Sequence, residues 1–283
     1  MTAIEVHGLR KAYGEHEAVQ GIDFEVRRGE VFGLLGPNGA GKTTTVEILE
    51  GYRRRSAGHV SVLGHDPAER DPDLRARVGI VLQSSGIYQY LTVRESVAHW
   101  AGFYPRPRDV EEVISIVGLE AAAEQRARGL SGGQQRRLDL ALALVGDPEL
   151  VFLDEPTTGF DPAARRAAWG TIRSLRDLGK TVLLTTHYLD EAQALADRVA
   201  IIKDGRILAE GPPSALGAGA GRHLVSYRGA DGVPRTQETD DPTTLLHELT
   251  GAALARGERL EDLSVTRPSL EEVYLELTEE ADR

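Results

Sequence analysis

Two stretches of this chain carry residue types that can handle a phosphate. Gly36-Pro37-Asn38-Gly39-Ala40-Gly41-Lys42-Thr43 fits G-x-x-x-x-G-K-S/T. A strand-like run, VFGLL, precedes it, and a helix-like run, TTTVEILEGY, follows from Thr43 and Thr44. The glycines let the backbone curl until successive N–H groups face one anion. Lys42 brings a positive charge to the β and γ phosphates of ATP, and the Thr43 hydroxyl is a ligand for Mg2+. The second stretch, ELVFLDEP, ends an apolar run in Asp154 and Glu155. Neighbouring side chains on a strand point to opposite sides, so Asp154 is expected to face the metal and Glu155 the attacking water. Phosphoryl transfer to water needs neutralised charge and a positioned nucleophile. Lys42 and Mg2+ serve the first need. Glu155, as general base, serves the second, an effect of about 10²–10⁴ in rate.

Three single residues have two readings each. His187 ends the run TVLLTT at the sheet edge where Asp154 ends its own strand. It is either a donor near the γ-phosphate or a structural histidine. Gln83 ends VGIVLQ and either reaches the metal or water or merely closes a strand. Tyr13 offers a ring to an adenine, while a half-buried tyrosine in a small strand accounts for it as well. Ser131-Gly132-Gly133-Gln134 poses a larger question. It matches the capping box S/T-x-x-E/Q, and a glycine-rich loop at a helix start is also an anion site. Yet the phosphates are already served by residues 36–43. One chain cannot readily present two helix N-termini to opposite sides of one γ-phosphate. Two copies packed head to tail can, each offering this loop to the ATP held by the other.

Elements must hold these residues in place. Ile4–His7, Phe24–Val26 and Val31–Leu35 read as short strands, and residues 51–64 as a hairpin or turn with the strand HVSVLG. The tract Arg53-Arg54-Arg55 reads as a solvated loop. From Gln83 to Arg128 the pattern is helical. Thr92 to Glu95 has capping-box spacing for a helix starting near Val93 and ended by Pro105 and Pro107. Asp109 opens DVEEVISIVG, stopped at Gly118. From 150 to 211 strands and helices alternate, which implies a largely parallel sheet. The Pro/Gly/Ala-rich stretch at 211–221 is the best boundary. Beyond it, HLVSYRG and LEDLSVT read as strands and DPTTLLHELTGAALARG and PSLEEVYLELT as helices of a small appended α/β domain.

Composition narrows the function classes. The chain has 283 residues, a net charge of −11 and no cysteine. Disulfide, thiolate and Cys-based metal chemistry are excluded, and the acidic balance argues against a nucleic-acid partner. The N-terminus lacks the apolar core of a signal peptide, and the longest apolar runs are far too short for a membrane span. If the protein works at a membrane, another chain supplies the membrane part.

The phosphate loop, LSGGQ, LVFLDEP, GFDP and His187, in this order, resemble the ATP-binding cassette (ABC) ATPases over residues 1–213. The resemblance implies an α/β fold: a P-loop NTPase core with a mixed, largely parallel sheet, an antiparallel β-subdomain and a helical subdomain near 84–145. Residues 214–283 form a C-terminal α/β extension. It implies ATP and Mg2+ as cofactors, Tyr13 as the adenine-stacking aromatic and Gln83 as a glutamine coupled to a membrane partner. By the same resemblance Ser131, Gly133 and Gln134 form the loop offered in trans, Asp161 is an inter-subunit acid and His187 a switch histidine. Phe160 stands where the family usually has Leu. The implied protein is the motor of a transporter at the cytoplasmic face of the membrane, working as a homodimer with a separate permease. The tail resembles bacterial drug- and antibiotic-resistance exporter ATPases. The alternatives are an importer ATPase and a soluble relative acting on ribosomes or DNA. The latter fits poorly with one cassette per chain and no long coiled coil between Thr43 and Ser131.

Overall fold

The structure is a computed structural model that describes residues 1–81, 86–216, 223–229, 231–266 and 270–280, of which 276–280 are described by backbone alone. It divides into two compact units, Met1–Glu210 and Gly211–Arg283.

In the first unit, β1 (Thr2–Tyr13) and β2 (His16–Arg27) are antiparallel strands of 12 residues each. The expected short strands at Ile4 and Phe24 are only segments of them. Gly8 and Gly21, at φ 56° and 82°, interrupt the alternation, and the β1–β2 register shifts at several points. Such bulges hide a long strand from a period-two reading. β3 (Val31–Leu35) leads into the phosphate loop and α1 (Lys42–Leu49) leaves it. β4 (Ala57–Val62) makes no local hairpin. It pairs antiparallel with β1, Ile4 opposite Val62 and Val6 opposite Val60, in the order β2-β1-β4. Of the arginine tract, Arg54 is exposed as expected, while its two neighbours are anchored. Arg55 grips Asp66 with two hydrogen bonds of 2.8 and 2.7 Å, and Arg53 reaches Glu47 at 2.5 Å.

After α2 (Pro72–Ala76) and β5 (Val78–Val81), the helical region holds α3 (Val93–Ala101), α4 (Val110–Ile116) and α5 (Gly132–Leu144). The Thr92–Glu95 capping box forms in both directions, and Asp109 caps α4 on two backbone N–H groups. α3 stops at Ala101, with Gly102 as its cap, ahead of the prolines expected to end it. Then come β6 (Leu150–Asp154), α6 (Pro162–Asp177), β7 (Thr181–Thr186), α7 (Leu189–Leu195), β8 (Arg198–Lys203) and β9 (Arg206–Gly211). They complete a six-stranded sheet, β5-β6-β7-β3-β8-β9. Its ladders from β5 to β8 are parallel, and β9 returns from β8 through Asp204-Gly205.

Both faces of this sheet are covered, which is why its strands read as unbroken apolar runs. Phe32, Leu34, Phe152 and Leu183 pack with α1 and the β1–β2–β4 sheet. Val151, Leu153, Val182 and Leu184 pack with the helices that carry Leu138, Ile172 and Leu195.

The second unit contains α8 (Pro213–Leu216), β10 (His223–Arg228), β11 (Pro234–Thr239), α9 (Pro242–Ala255), β12 (Glu261–Thr266) and α10 (Leu270–Glu280). Its antiparallel sheet runs β11-β10-β12. The two expected strands and two expected helices are present. β11 was not foreseen: PRTQET has no apolar residue besides Pro234 and lies almost wholly exposed. Its strand conformation comes from pairing with β10.

Candidate functional site

Phosphate chemistry needs backbone N–H groups aimed at one point, and the loop between β3 and α1 is built for that. A Cβ at Gly36 would lie 2.1 Å from the Ile202 carbonyl oxygen, and one at Gly41, whose φ is 102°, 2.5 Å from the Ala18 oxygen. Only glycine fits either place. Gly41 caps α1, so the first N–H groups of that helix have no intrahelical acceptor and face the loop. Lys42, the first helical residue, is buried at 4% exposure. Its Nζ donates to the Gly36 and Pro37 carbonyls at 2.8 and 3.0 Å and lies 3.5 Å from Glu155 Oε1. Burial pulls the Lys42 pKa down, opposed by Glu155 and more weakly by Asp154.

The Thr43 hydroxyl donates to Asp154 Oδ2 at 3.3 Å. A hydroxyl and a carboxylate oxygen so placed suit a hard cation such as Mg2+, so these two residues fit the ligand role. Asp154 is the last residue of β6, and its other oxygen accepts from Thr185 Oγ1 at 2.5 Å. Thr185 sits opposite Asp154 in the parallel ladder with β7. The same hydroxyl accepts from the Glu155 N–H at 2.9 Å.

The two carboxylates are separated by a different device from the one expected. Strand alternation does not divide them, because the strand ends at Asp154. Glu155 takes φ 46°, a left-handed conformation rare for a residue with a side chain. Its carboxylate accepts from Thr158 Oγ1 at 3.1 Å and lies 3.4 Å from His187 Nδ1. Burial alone would raise its pKa. The Lys42 charge, the Thr158 hydroxyl and His187 outweigh burial and hold it below the ordinary carboxylate value. Glu155 is therefore ionised at neutral pH, as a base must be. Lys42, Thr43, Asp154, Glu155 and His187 thus converge at one end of the central sheet.

Other candidates stand apart from that cluster. Ser131 and Gln134 close the capping box within their own chain: Ser131 N donates to Gln134 Oε1 at 2.9 Å, and Gln134 N to Ser131 Oγ at 3.3 Å. Gly133 lies in the first turn of α5. Asp161 caps α6 on the N–H groups of Ala163 and Ala164, which lower its pKa. Tyr13 is 41% exposed at the end of β1, with Lys11 and Arg53 over its ring. Gln83 lies outside the described residues. Sequence reasoning missed Thr185, Thr158 and Arg136. Arg136, on α5, donates to the carbonyls of Asp154 and Pro156 at 3.2 and 3.3 Å, on either side of Glu155.

Comparison with known proteins decides the family. Residues 19–158 match the family model described as "ABC transporter". The daunorubicin resistance ATP-binding protein DrrA3 of Streptomyces coeruleorubidus is 39% identical, over 98% of this chain and 96% of that one. The chain belongs to the ABC transporter family. The Nod factor export ATP-binding protein I of Paraburkholderia xenovorans is 41% identical to this cassette, over 98% and 97% of the two chains. Among solved structures, the cassette MJ0796, described as a dimeric post-hydrolysis state bound to ADP and Pi, is 26% identical with a TM-score of 0.65, over 74% of this chain and 98% of that one. An ATP-binding subunit of an ABC transporter shares the fold across 98% of this chain and 99% of that one, at 24% identity and a TM-score of 0.70. The cassette is accordingly a Mg2+-dependent ATP hydrolase of a family whose members dimerise and work with a transmembrane permease. No helix among the described residues is long and apolar enough to cross a membrane.

One acid of the cassette is set for a pH effect. Glu50 caps the C-terminal end of α1, half-buried, and its pKa is pushed up to about 8 by burial, with Asp154 and Glu47 adding like charge. Between its ordinary value of 4.5 and about 8 the folded chain holds this proton and the unfolded chain does not. Rising pH through that window therefore removes stability, by up to about 1.4 kcal/mol per unit. Glu50→Gln should melt higher than wild type at pH 8 and show a flatter melting profile from pH 5 to 8. Parallel profiles for the two proteins would contradict the shift.

Proposed function

We propose that this cassette is the ATPase subunit of a bacterial exporter, hydrolysing ATP in a head-to-tail homodimer to drive a drug-like or lipophilic substrate through a separate permease. The convergence of Lys42, Thr43, Asp154, Glu155 and His187 carries the hydrolytic half of this reading. The names of the relatives at about 40% identity, which concern daunorubicin resistance and Nod factor export, support the export half.

The roles follow from the chemistry of each group. The loop of residues 36–44 binds the phosphates through its free backbone N–H groups, and Lys42 neutralises their charge. Thr43 and Asp154, with Gln83, would hold Mg2+, which would supply positive charge to the phosphate oxygens. Glu155 takes a proton from the attacking water, and His187 donates toward the γ-phosphate. Tyr13 stacks on the adenine. Ser131, Gly133 and Gln134 close on the γ-phosphate held by a second copy, and Asp161 lies at the seam between the two. The acidic net charge of −11 supports a chain that works without nucleic acid. The cassette sits at the cytoplasmic face of the cell membrane, held there by the permease. Glu155→Gln, treated in the Discussion, tests the hydrolytic roles.

The permease is proposed to dock on the stretch from Ser84 to Pro107, of which Ser84 and Ser85 lie outside the described residues. Tyr88, Tyr90 and Phe103 are exposed there, and Trp100 and Tyr104 line a cleft of about 560 Å³. Exposed aromatic rings beside a cleft are common anchors of a protein interface. Tyr90→Ser with Phe103→Ser should weaken permease association by about tenfold or more and reduce transport in step. ATP hydrolysis by the isolated chain should stay near wild type. Equal loss of hydrolysis and transport would make the stretch part of the core.

A further inference from the structure

Glu191 has no part in the chemistry above, yet its side chain is entirely buried on α7. Its Oε1 accepts two hydrogen bonds from different segments. Thr157 Oγ1 donates at 2.7 Å, from the turn that follows Glu155. Trp169 Nε1 donates at 3.1 Å, from α6. Its Oε2 is buried and has no hydrogen-bond partner among the described residues. Leaving a carboxylate oxygen buried and unpaired is costly, and a folded chain keeps such a group where it serves a purpose.

The segments that meet at this carboxylate are the ones the reaction must align. The turn at residues 155–160 carries Glu155 and is braced by the Thr157 carbonyl, which accepts from Phe160 N–H at 3.1 Å. α7 begins two residues after His187. α6, capped by Asp161, carries Trp169. Arg136 of α5 also holds the carbonyls flanking Glu155. The turn is therefore held from α5 by Arg136 and from α7 by Glu191. Glu155 and His187 stand on different segments of chain; Thr185 ties them through the Glu155 N–H, and the Glu191 carboxylate ties them a second time through the turn.

We infer that Glu191 is a positioning residue: through Thr157 and Trp169 it fixes the Glu155 turn against α7, so that Glu155 and His187 present to one γ-phosphate together. It touches no reacting atom. The inference rests on the reading of Glu155 as general base.

Variants at the two donors test it with little change to the fold. Thr157→Val keeps shape, Trp169→Phe keeps an aromatic ring of smaller size, and each removes one donor. α6 and α7 stay clamped in both, because Arg165 pairs with Asp190 at 3.0 Å and stacks on Tyr188 at 4.4 Å. Each variant should lose about tenfold to a hundredfold in kcat, as a small misplacement of a catalytic group does, with the KM for ATP and ATP affinity near wild type. The double variant should be no slower than the worse single, because both donors act through one carboxylate. Glu191→Gln, which keeps an acceptor oxygen, should retain more activity than Glu191→Leu, which keeps bulk alone. Folded Thr157→Val and Trp169→Phe proteins with wild-type kcat would overturn the inference, as would losses that simply add. If Glu155→Gln itself hydrolysed ATP normally, the underlying reading would fall. If that variant is inactive while both donor variants turn over normally, only the role of Glu191 falls.

Discussion

Lys42→Ala should bring ATP hydrolysis to background and weaken Mg-ATP binding by about a hundredfold, the scale of losing one preorganised electrostatic contact to a charged oxygen. The expectation comes from the surroundings of the ammonium. Lys42 is buried, spans the Gly36 and Pro37 carbonyls and faces Glu155 at 3.5 Å. Alanine leaves those carbonyls without their donor. It also leaves Asp154 and Glu155 without their nearest lysine just where a polyphosphate must enter. Turnover and equilibrium binding of a labelled ATP analogue, measured side by side, check both halves. Near-normal turnover would remove residues 36–43 from the active site.

Glu155→Gln should leave binding intact and cut hydrolysis by about 10²–10⁴. Glutamine keeps the size of the side chain and an acceptor for Thr158, but no base. Lys42, the loop amides, Thr43 and Asp154 are untouched. Because Lys42, Thr158 and His187 together hold the Glu155 pKa below the usual carboxylate value, the wild-type rate should not fall through protonation of this group as pH drops from 8 to 6. Single-turnover hydrolysis across that range checks both statements. A steep acid limb above pH 6 that vanishes in Glu155→Gln would mean that the carboxylate is not held ionised.

The parts of this site that were legible in the sequence are those that local chain chemistry writes. Gly36 to Thr43 is one such part, since each residue there serves a turn that its neighbours define. The Thr92 and Ser131 capping boxes are others, because three residues of spacing hold the whole motif. What was not legible depends on pairing between distant segments. Thr185 supports both Asp154 and Glu155, but only because the β6–β7 register sets it opposite Asp154. Nothing in TVLLTT marks that threonine. Nothing in LDEAQALADR marks Glu191, whose contacts with Thr157 and Trp169 depend on the packing of α6 and α7. The separation of Asp154 from Glu155 was foreseen for the wrong reason. Alternation along a strand was expected, and a left-handed turn at Glu155 does the work. In the second unit β11 escaped notice because its polar residues owe their extended form to β10 rather than to any pattern of their own. Ser131 marks the remaining gap. Its capping box is complete within one chain, so a second role for that loop requires a partner copy.

Sedimentation of Glu155→Gln, with and without Mg-ATP, tests the head-to-tail ATP sandwich most directly. With hydrolysis blocked, ATP should stay between two copies, and the variant should run as a dimer with Mg-ATP and mainly as a monomer without it. Adding Ser131→Arg should abolish that dimer, because the long side chain would fill the place of the opposing γ-phosphate. The lost cap costs only about 1 kcal/mol, so the double variant should remain folded and still bind ATP through its own phosphate loop. A double variant that dimerises on Mg-ATP as fully as Glu155→Gln alone would contradict the account, and would leave Ser131 to Gln134 as a helix cap and nothing more.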